Sequence, residues 1–212
     1  MLCQNLEKLY RENGYSNELF HNTMLDIKYK LIECHLVKGI WGTFVSPWFE
    51  EFFYLNRFCF SILQFELAPF EIEYQDEKNI IHFNTPSINI HIPRTGKKMY
   101  KELIDKSINE AYEFYKNKFN NKVLFKCHSW LLFPRNLDYL SSDSNIRYFY
   151  SLYNIIDTQY FSSYSETWRL FDCEYIILDK LPNDTSLRRG YIDLIKNNEK
   201  IGYSFGYFIK EQ

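Results

Sequence analysis

The stretch that decides the fold begins with SINIHIP (residues 87–93), continues through the basic turn RTGKKM (94–99) and ends with KVLFKCHSWLL (122–132). The first and last segments are rich in β-branched and aromatic residues, which is typical of strands. From 97 to 119, apolar residues recur at helical spacing and form one stripe, on which the small residues Ser107 and Ala111 would let the helix approach a sheet closely. This order predicts a right-handed crossover between two parallel strands. Because the first N–H groups of a helix have no partner within it, the basic turn is a candidate phosphate site.

The segments before this stretch predict helices followed by strands. Residues 1–55 are helical in pattern, with Gly14 and Gly39 at helix ends and Ser16 as an N-cap. RFCFSILQFELAPF (57–70) reads as one strand on which Gln64 and Glu66 share a face. EIEY, NIIHF and SINIHIP follow it as an antiparallel meander.

The segments after the stretch alternate between helices and strands. The pattern predicts a helical region over 134–152, a strand at YNIIDTQYF, a helix over 185–196 and a last strand at IGYSFGYFI. We therefore predict an α/β fold with a mixed α+β sheet. A helical N-terminal cap would occupy 1–55 and the sheet domain 56–212.

Composition narrows the class of protein. Of the 212 residues, 46% are hydrophobic and 25% are charged, which is typical of a globular chain. The net charge of -2 argues against nucleic-acid binding. Five cysteines, Cys3 among them, show no CxxC spacing, which favours a reduced protein without a metal site. No apolar run reaches the roughly 20 residues of a membrane span, and no signal peptide is evident, so we expect a cytoplasmic protein.

Four strings in order then suggest a family. HIPRTGKKMYKELIDKSINEAYEFY, CHSWLLFP, SNIRYFYSLY and LPNDTSLRRG resemble the GNAT superfamily of CoA-dependent N-acyltransferases, and more narrowly the GNAT-like C-terminal domain of a bacterial acyltransferase family. ILQFEL resembles the strand that precedes this domain. The resemblance implies a splayed pair of parallel strands that holds acetyl-CoA or another acyl-CoA between them.

The resemblance also implies which residues bind the donor. Its pyrophosphate would lie on the turn after the first strand, and an asparagine of the SNI string would contact the donor. The turn departs from the usual Q/R-x-x-G-x-G/A pattern, because its glycine comes one residue early and a lysine replaces the second small residue. Added positive charge offsets this departure. The donor-binding candidates are Arg94, Thr95, Gly96, Lys97, Lys98 and Asn145.

Amine acylation needs a base near neutral pKa, and histidine is the usual one. His91 on the first strand is the preferred base, His128 on the second strand is the next choice, and Glu66 is also a candidate. Cys127 is next to His128, but adjacent strand residues point to opposite faces, so a cysteine–histidine pair is not expected and Cys127 is predicted to lie in the core. Trp130 is predicted to share the face of His128. The acceptor-side candidates are Gln64, Ser129 and Trp130, and a solvent-facing side chain is the alternative for Gln64.

Two functions follow from these residues. The first is an N-acyltransferase that moves an acetyl or short acyl group from acyl-CoA to an amine of a small molecule or peptide. The second is a non-catalytic GNAT-like module that binds CoA, a ligand or a partner. The family's general-acid tyrosine would fall at Leu152, so the choice among Tyr148, Tyr150 and Tyr153 stays open. Arg188 and Arg189 fit a phosphate contact and a surface helix equally well.

Overall fold

Six strands form one mixed sheet in this computed structural model, which describes residues 2–164 and 167–212. Their order across the sheet is β1-β2-β5-β6-β8-β7, and β3 and β4 form a separate ribbon. The strands are β1 (Arg57–Phe60), β2 (Leu63–Pro69), β3 (Tyr74–Gln75), β4 (Ile80–Ile81), β5 (Pro86–His91), β6 (Lys122–Ser129), β7 (Asn154–Phe161) and β8 (Ile201–Glu211).

The segment predicted as one strand over 57–70 is a hairpin, so that prediction was wrong. Ser61 has φ 54, in the left-handed region, and there the chain reverses between β1 and β2. The two strands pair antiparallel with Arg57 opposite Glu66. The sequence pattern gave no sign of this turn, because neither glycine nor proline stands between β1 and β2. The hairpin brings an arginine beside the candidate carboxylate.

The predicted meander is also wrong in part. EIEY and NIIHF contribute β3 and β4, which pair with each other instead of joining the sheet. The strand β2 pairs directly with β5, with Gln64 opposite His91. The ribbon is held against the sheet, where the Tyr207 hydroxyl donates to Asp76 at 2.9 Å. Two candidate residues thus become cross-strand neighbours.

The predicted parallel arrangement is confirmed, because β5 and β6 pair in parallel and a helix connects them. This helix, α4, covers Lys101–Tyr115 and continues as a 3₁₀ turn. It begins four residues later than predicted, with Tyr100 as its N-cap and 49% exposed. The fully buried Ser107 accepts a hydrogen bond from the Ile62 N–H at 3.1 Å. Small residues there let α4 approach the sheet closely, as the sequence predicted.

Helices of the N-terminal region pack on the edge of the sheet. They are α1 (Leu2–Glu12), α2 (Asn17–Lys38) and α3 (Glu50–Phe53), the last preceded by a 3₁₀ turn over Ser46–Phe49. Ser16 caps α2 and Gly39 ends it with φ 73, as the sequence predicted. Thr23 of α2 accepts a hydrogen bond from the Cys59 N–H at 3.0 Å. The side chain of Cys3 lies outside the described residues, and the boundary between 55 and 56 stays a prediction.

The C-terminal part is partly as expected. The helical region predicted over 134–152 is two short helices, α5 (Asn136–Tyr139) and α6 (Asn145–Ser151). After β7 come α7 (Trp168–Phe171) and α8 (Ser186–Lys196), and Thr185, one of two cap candidates in the sequence with Asp184, caps α8. The main core lies between the sheet and α4, around Phe65, Ile88, Phe125 and Phe149.

Candidate active site

The parallel strands β5 and β6 diverge where both carry a candidate histidine. They pair at Ile88 with Phe125 and at Asn89 with Lys126, and no further pair joins them among the described residues. The outer neighbours continue, since β2 still pairs with His91 and β8 with His128. A V-shaped opening with free backbone edges therefore separates the two strand ends.

A cavity of about 380 Å³ occupies this opening. Residues of both strand ends line it, including the two candidate histidines. Its walls also include Trp48 from the N-terminal region and Trp168 from α7. Apolar walls with a few converging polar groups are typical of a small-molecule site. His91, Arg94, His128, Ser129 and Trp130 are the predicted site residues on its wall.

His91 is bonded to Glu66 across the paired strands. Its Nε2 lies 2.6 Å from Oε2 of Glu66, and 19% of the His91 side chain is exposed. Because an ionised carboxylate only accepts hydrogen bonds, Nε2 carries the hydrogen and donates it. The other ring nitrogen, Nδ1, then has its lone pair available. This is the tautomer that a base at the cavity would need.

The charge state of the pair follows from its surroundings. Burial lowers the pKa of His91 below its ordinary value, and the hydrogen bond that His91 donates to Glu66 only partly opposes this. Burial alone would raise the pKa of Glu66, but the hydrogen bonds and charges of His91 and Arg57 outweigh it and lower that pKa to about 2. At neutral pH the imidazole is therefore neutral and the carboxylate is ionised.

Sequence reasoning missed Arg57 and Trp48. The Arg57 guanidinium donates from Nη2 to Glu66 Oε2 at 2.6 Å and from Nη1 to the Trp48 carbonyl at 2.7 Å. The Trp48 ring meets the His91 ring edge-on at 4.7 Å between centroids. Recognising the turn at Ser61 would have placed Arg57 opposite Glu66. No local sequence pattern indicates a role for Trp48, because it precedes His91 by 43 positions.

Gln64 was predicted as an acceptor-side residue, with a solvent-facing side chain as the alternative. The structure buries it completely, so the solvent-facing alternative is wrong. It is the cross-strand neighbour of His91. A contact between Gln64 and the acceptor would need the cavity to extend past His91, and that contact stays a prediction.

The end of β6 differs from the predicted alternation. His128 is exposed on the cavity wall, with its ring centroid 5.8 Å from that of Tyr203. The strand ends at Ser129, whose Oγ accepts a hydrogen bond from the Leu131 N–H at 3.2 Å and caps a 3₁₀ turn. Trp130 was predicted to share the face of His128, which is wrong because the turn redirects it against Tyr191 of α8.

Cys127 lies in the core, as predicted. Its side chain is fully buried, and burial raises the pKa of the thiol to about 12. A thiol in this state is a poor nucleophile at neutral pH. The geometry therefore gives no support to an acyl-cysteine intermediate.

The basic turn divides its side chains between two places. Arg94 lines the cavity beside His91 and forms an ion pair with Asp172. Gly96 has φ 73, and the Lys97 N–H donates to Thr95 Oγ1 at 3.1 Å. A second cavity of about 440 Å³ is lined by Lys98, Asn145 and Ser186. The structure thus brings Lys98 and Asn145 together, away from Arg94.

The tyrosines near α6 have different surroundings. The Tyr148 hydroxyl donates to Asp105 of α4. Burial and that carboxylate raise the pKa of Tyr148 to about 12. Tyr153 is buried in the core against Phe149, while Tyr150 is half-buried at the surface.

The contacts of Arg188 and Arg189 bear on whether these side chains contact phosphate or form a structural helix face. Arg188 donates to Asp184 at 2.8 Å and to Asp172 at 2.9 Å. Arg189 donates to the Asn183 carbonyl at 2.9 Å. Both side chains therefore fix the loops around α8, which agrees with the interpretation of a structural helix face.

A mixed sheet whose parallel strands diverge around a strand–turn–helix segment defines a GNAT-like fold. The chain belongs to the family of the GNAT-like C-terminal domain, whose sequence model matches residues 58–208. The resemblance inferred from the four strings is thereby confirmed. No curated protein matches the sequence.

Solved structures show the same fold. An acyltransferase in complex with decanoyl-CoA and teicoplanin has a TM-score of 0.83 at 20% identity, over 98% of this chain and 63% of that chain. An acyltransferase mutant in complex with octanoyl-CoA has a TM-score of 0.82 at 20% identity, over 99% and 63%. The chain thus spans just under two thirds of the length of these structures.

Two further observations concern the described residues alone. None of their helices is both long and apolar enough to cross a membrane. Within the same residues, no group of three or more histidine, cysteine, aspartate or glutamate side chains is placed to hold a metal ion.

Proposed function

We propose that this protein is an acyltransferase that moves an acyl group from acyl-CoA to an amine. The observation that carries this proposal is the divergence of β5 and β6 after Asn89 and Lys126, with a cavity in the opening. The arm of CoA that carries the acyl group is a slender amide chain. Free backbone groups on a strand edge can bind such amides as they would bind another strand.

The donor's phosphates would lie on the turn after β5. The space around Gly96 is open, since a Cβ at this position would meet no atom within 4 Å, and its φ of 73 favours glycine there. Lys97 and Lys98 add positive charge, and Lys98 shares a cavity wall with Asn145 at the start of α6. Arg94 and Thr95 complete the candidate set, and charge-assisted hydrogen bonds to phosphate are among the stronger ones.

His91 would act as the base. Its neutral ring faces the cavity and Glu66 holds the Nε2 hydrogen, so Nδ1 can accept a proton from the attacking amine. Glu66 itself is a weak base, because its pKa is lowered to about 2. His128 lines the same cavity and is the second candidate.

The rest of the reaction needs little covalent chemistry from the protein. The amine nitrogen attacks the thioester carbonyl, and free N–H groups at the strand ends would stabilise the resulting oxyanion. Collapse of this intermediate forms the amide and breaks the C–S bond. The CoA thiolate leaves and then takes a proton. Tyr150 is the least committed of the three tyrosines, because Tyr148 donates to Asp105 and Tyr153 is buried.

The acceptor would enter between the strand ends and the N-terminal region. Ser129 and Trp130 line the cavity there. We propose a small-molecule or peptide amine as acceptor and an acetyl or short acyl group as cargo, with the reaction in the bacterial cytoplasm. The solved acyltransferases hold octanoyl- and decanoyl-CoA, so longer chains belong in the test.

Calorimetric titration with acetyl-, octanoyl- and decanoyl-CoA, followed by thiol release with a panel of amines, tests the proposal. We expect saturable binding and amine-dependent thiol release. Binding without thiol release would favour the non-catalytic alternative. The comparisons lend that alternative no support. Absence of binding would contradict the acyltransferase and a module that binds CoA.

Separate variants assign the base. His91→Ala should lower kcat by about a hundredfold or more, in the range of general-base catalysis. His128→Ala should have the smaller effect. A larger loss in His128→Ala would reverse the assignment, and full activity in both variants would reject it.

A further inference from the structure

Four side chains form a closed ring of contacts around the proposed base. They are Trp48, Arg57, Glu66 and His91. Trp48 and Arg57 precede residue 58, where the matched family domain begins. The ring therefore ties a catalytic candidate of the domain to residues outside it.

Arg57 is the central member of this ring. Only 4% of the residue is exposed, and Nε and Nη2 both donate to Glu66 Oε2, at 3.1 and 2.6 Å. Its guanidinium also lies 3.7 Å from the centroid of the Trp48 ring. A buried arginine needs a committed anion, because an uncompensated buried charge is costly. The negative charge of Glu66 is therefore shared between a permanent cation and His91.

Trp48 completes this cycle of four contacts, and a hydrogen bond holds its own side chain in place. Its Nε1–H donates to Oδ2 of the buried Asp26 at 2.9 Å. Its ring plane stands at 78° to that of His91. An aromatic edge in this position restricts rotation of the imidazole and covers it from water.

We propose that Arg57 and Trp48 are positioning residues for His91, an inference that rests on the proposed function. Arg57 holds Glu66 so that the carboxylate orients the imidazole without charging it. Trp48 fixes the plane of the ring, which leaves Nδ1 directed to the acceptor amine. The N-terminal region is thus part of the catalytic unit.

Charged and titratable side chains approach His91 from each packed element. Two cations, Arg57 of β1 and Lys126 of β6, oppose its protonation, and Glu66 of β2 favours it. Burial is the largest cause, and the pKa of His91 is lowered as a result. The remaining charged and titratable groups on the shared cavity wall are Lys30 and Glu33 of α2, Arg94, His128, Arg169 and Tyr203.

The test measures the His91 imidazole directly as well as turnover. In Arg57→Gln the carboxylate is left to His91 alone, so the imidazole should gain a proton more easily. Its NMR titration, assigned by comparison with His91→Gln, should move up by about one pH unit, equivalent to about a tenfold change in proton affinity. The acid limb of kcat/KM should move with it, so that the loss at pH 6 exceeds the loss at pH 8. Arg57→Lys should preserve the titration while kcat falls.

Trp48→Ala should lower kcat by about tenfold with little change in the acid limb, and Trp48→Phe should recover most of that loss.

The matched control for Arg57→Gln is Arg135→Gln. This variant removes an arginine that is 41% exposed and paired with Glu199, outside the cavity wall. It should change neither titration nor rate. Melting curves show whether each variant folds. If Arg57→Gln does not fold, the titration and kcat of Arg57→Lys provide the test.

An unshifted His91 titration in folded Arg57→Gln would overturn the inference for Arg57, and full kcat in Trp48→Ala would overturn it for Trp48. Failure of the proposed function gives a different result. Wild-type protein would then release no thiol, or His91→Ala would stay active, whether or not the NMR titration moves in Arg57→Gln.

Discussion

Arg94 and Asp172 form an ion pair that joins the turn after β5 to the end of α7. The same carboxylate accepts a hydrogen bond from Arg188 of α8 at 2.9 Å. Asp172 is thus paired with Arg94, the arginine that the proposed function assigns to the donor's phosphates. An anion and a carboxylate compete for such a guanidinium.

This competition predicts the effect of Asp172→Asn on donor binding. Removal of the carboxylate should tighten CoA binding by about threefold to tenfold, and Arg94→Gln should weaken it by a similar factor, since one partly exposed charge contributes about 1 kcal/mol. Calorimetry measures both constants. Asp184→Asn is the control, because Asp184 pairs with Arg188 at 2.8 Å. Weaker binding in Asp172→Asn would mean that the ion pair shapes the turn instead of blocking it.

Glu66→Gln should move the pH dependence opposite to Arg57→Gln. The carboxylate raises the pKa of His91 through its hydrogen bond and charge, while burial lowers it. Loss of the carboxylate should lower the pKa of His91 further, so the acid limb of kcat/KM moves to lower pH. The plateau should fall by about tenfold, because a carboxamide no longer fixes the Nε2–H tautomer. An acid limb that moves upward would contradict this arrangement.

Cys127→Ala should retain kcat within about twofold. Burial raises the thiol pKa to about 12, so the thiolate is scarce at neutral pH. The variant loses a buried sulfur and should be less stable by about 1 kcal/mol. Rate measurements and intact-mass spectra during turnover check this. An acyl adduct on wild-type protein that disappears in Cys127→Ala would establish the covalent route.

Gly202→Ala should destabilise the fold by about 2 kcal/mol through overpacking. A Cβ at Gly202 would lie 2.4 Å from the Gln159 carbonyl oxygen and 2.6 Å from the Phe133 ring. Gly42→Ala is the matched control, since its Cβ would meet only Cys34 Sγ, at 4.0 Å. Denaturant unfolding of both variants measures the difference. Equal stability would show that β7 and β8 can separate at this point without cost.

Much of the fold was predictable because it depends on local patterns. The α4 stripe and the caps at Ser16, Gly39 and Thr185 are set by neighbours in sequence. The apolar run over 57–70 failed as a predictor, since its reversal depends on one non-glycine residue, Ser61, in the left-handed region. The helix after the basic turn begins late because the backbone around Gly96 turns first.

The sequence by itself determined the parallel crossover and the family, since strand and helix periodicity and the ordered strings need no distant partner, and it singled out His91 as the preferred candidate base, which stays a prediction. Tertiary structure alone decided what surrounds that base. The hairpin register places Arg57 opposite Glu66, and packing of the N-terminal region brings Trp48 onto His91. Contacts between residues far apart in the chain depend on how whole elements pack, and no local pattern encodes them.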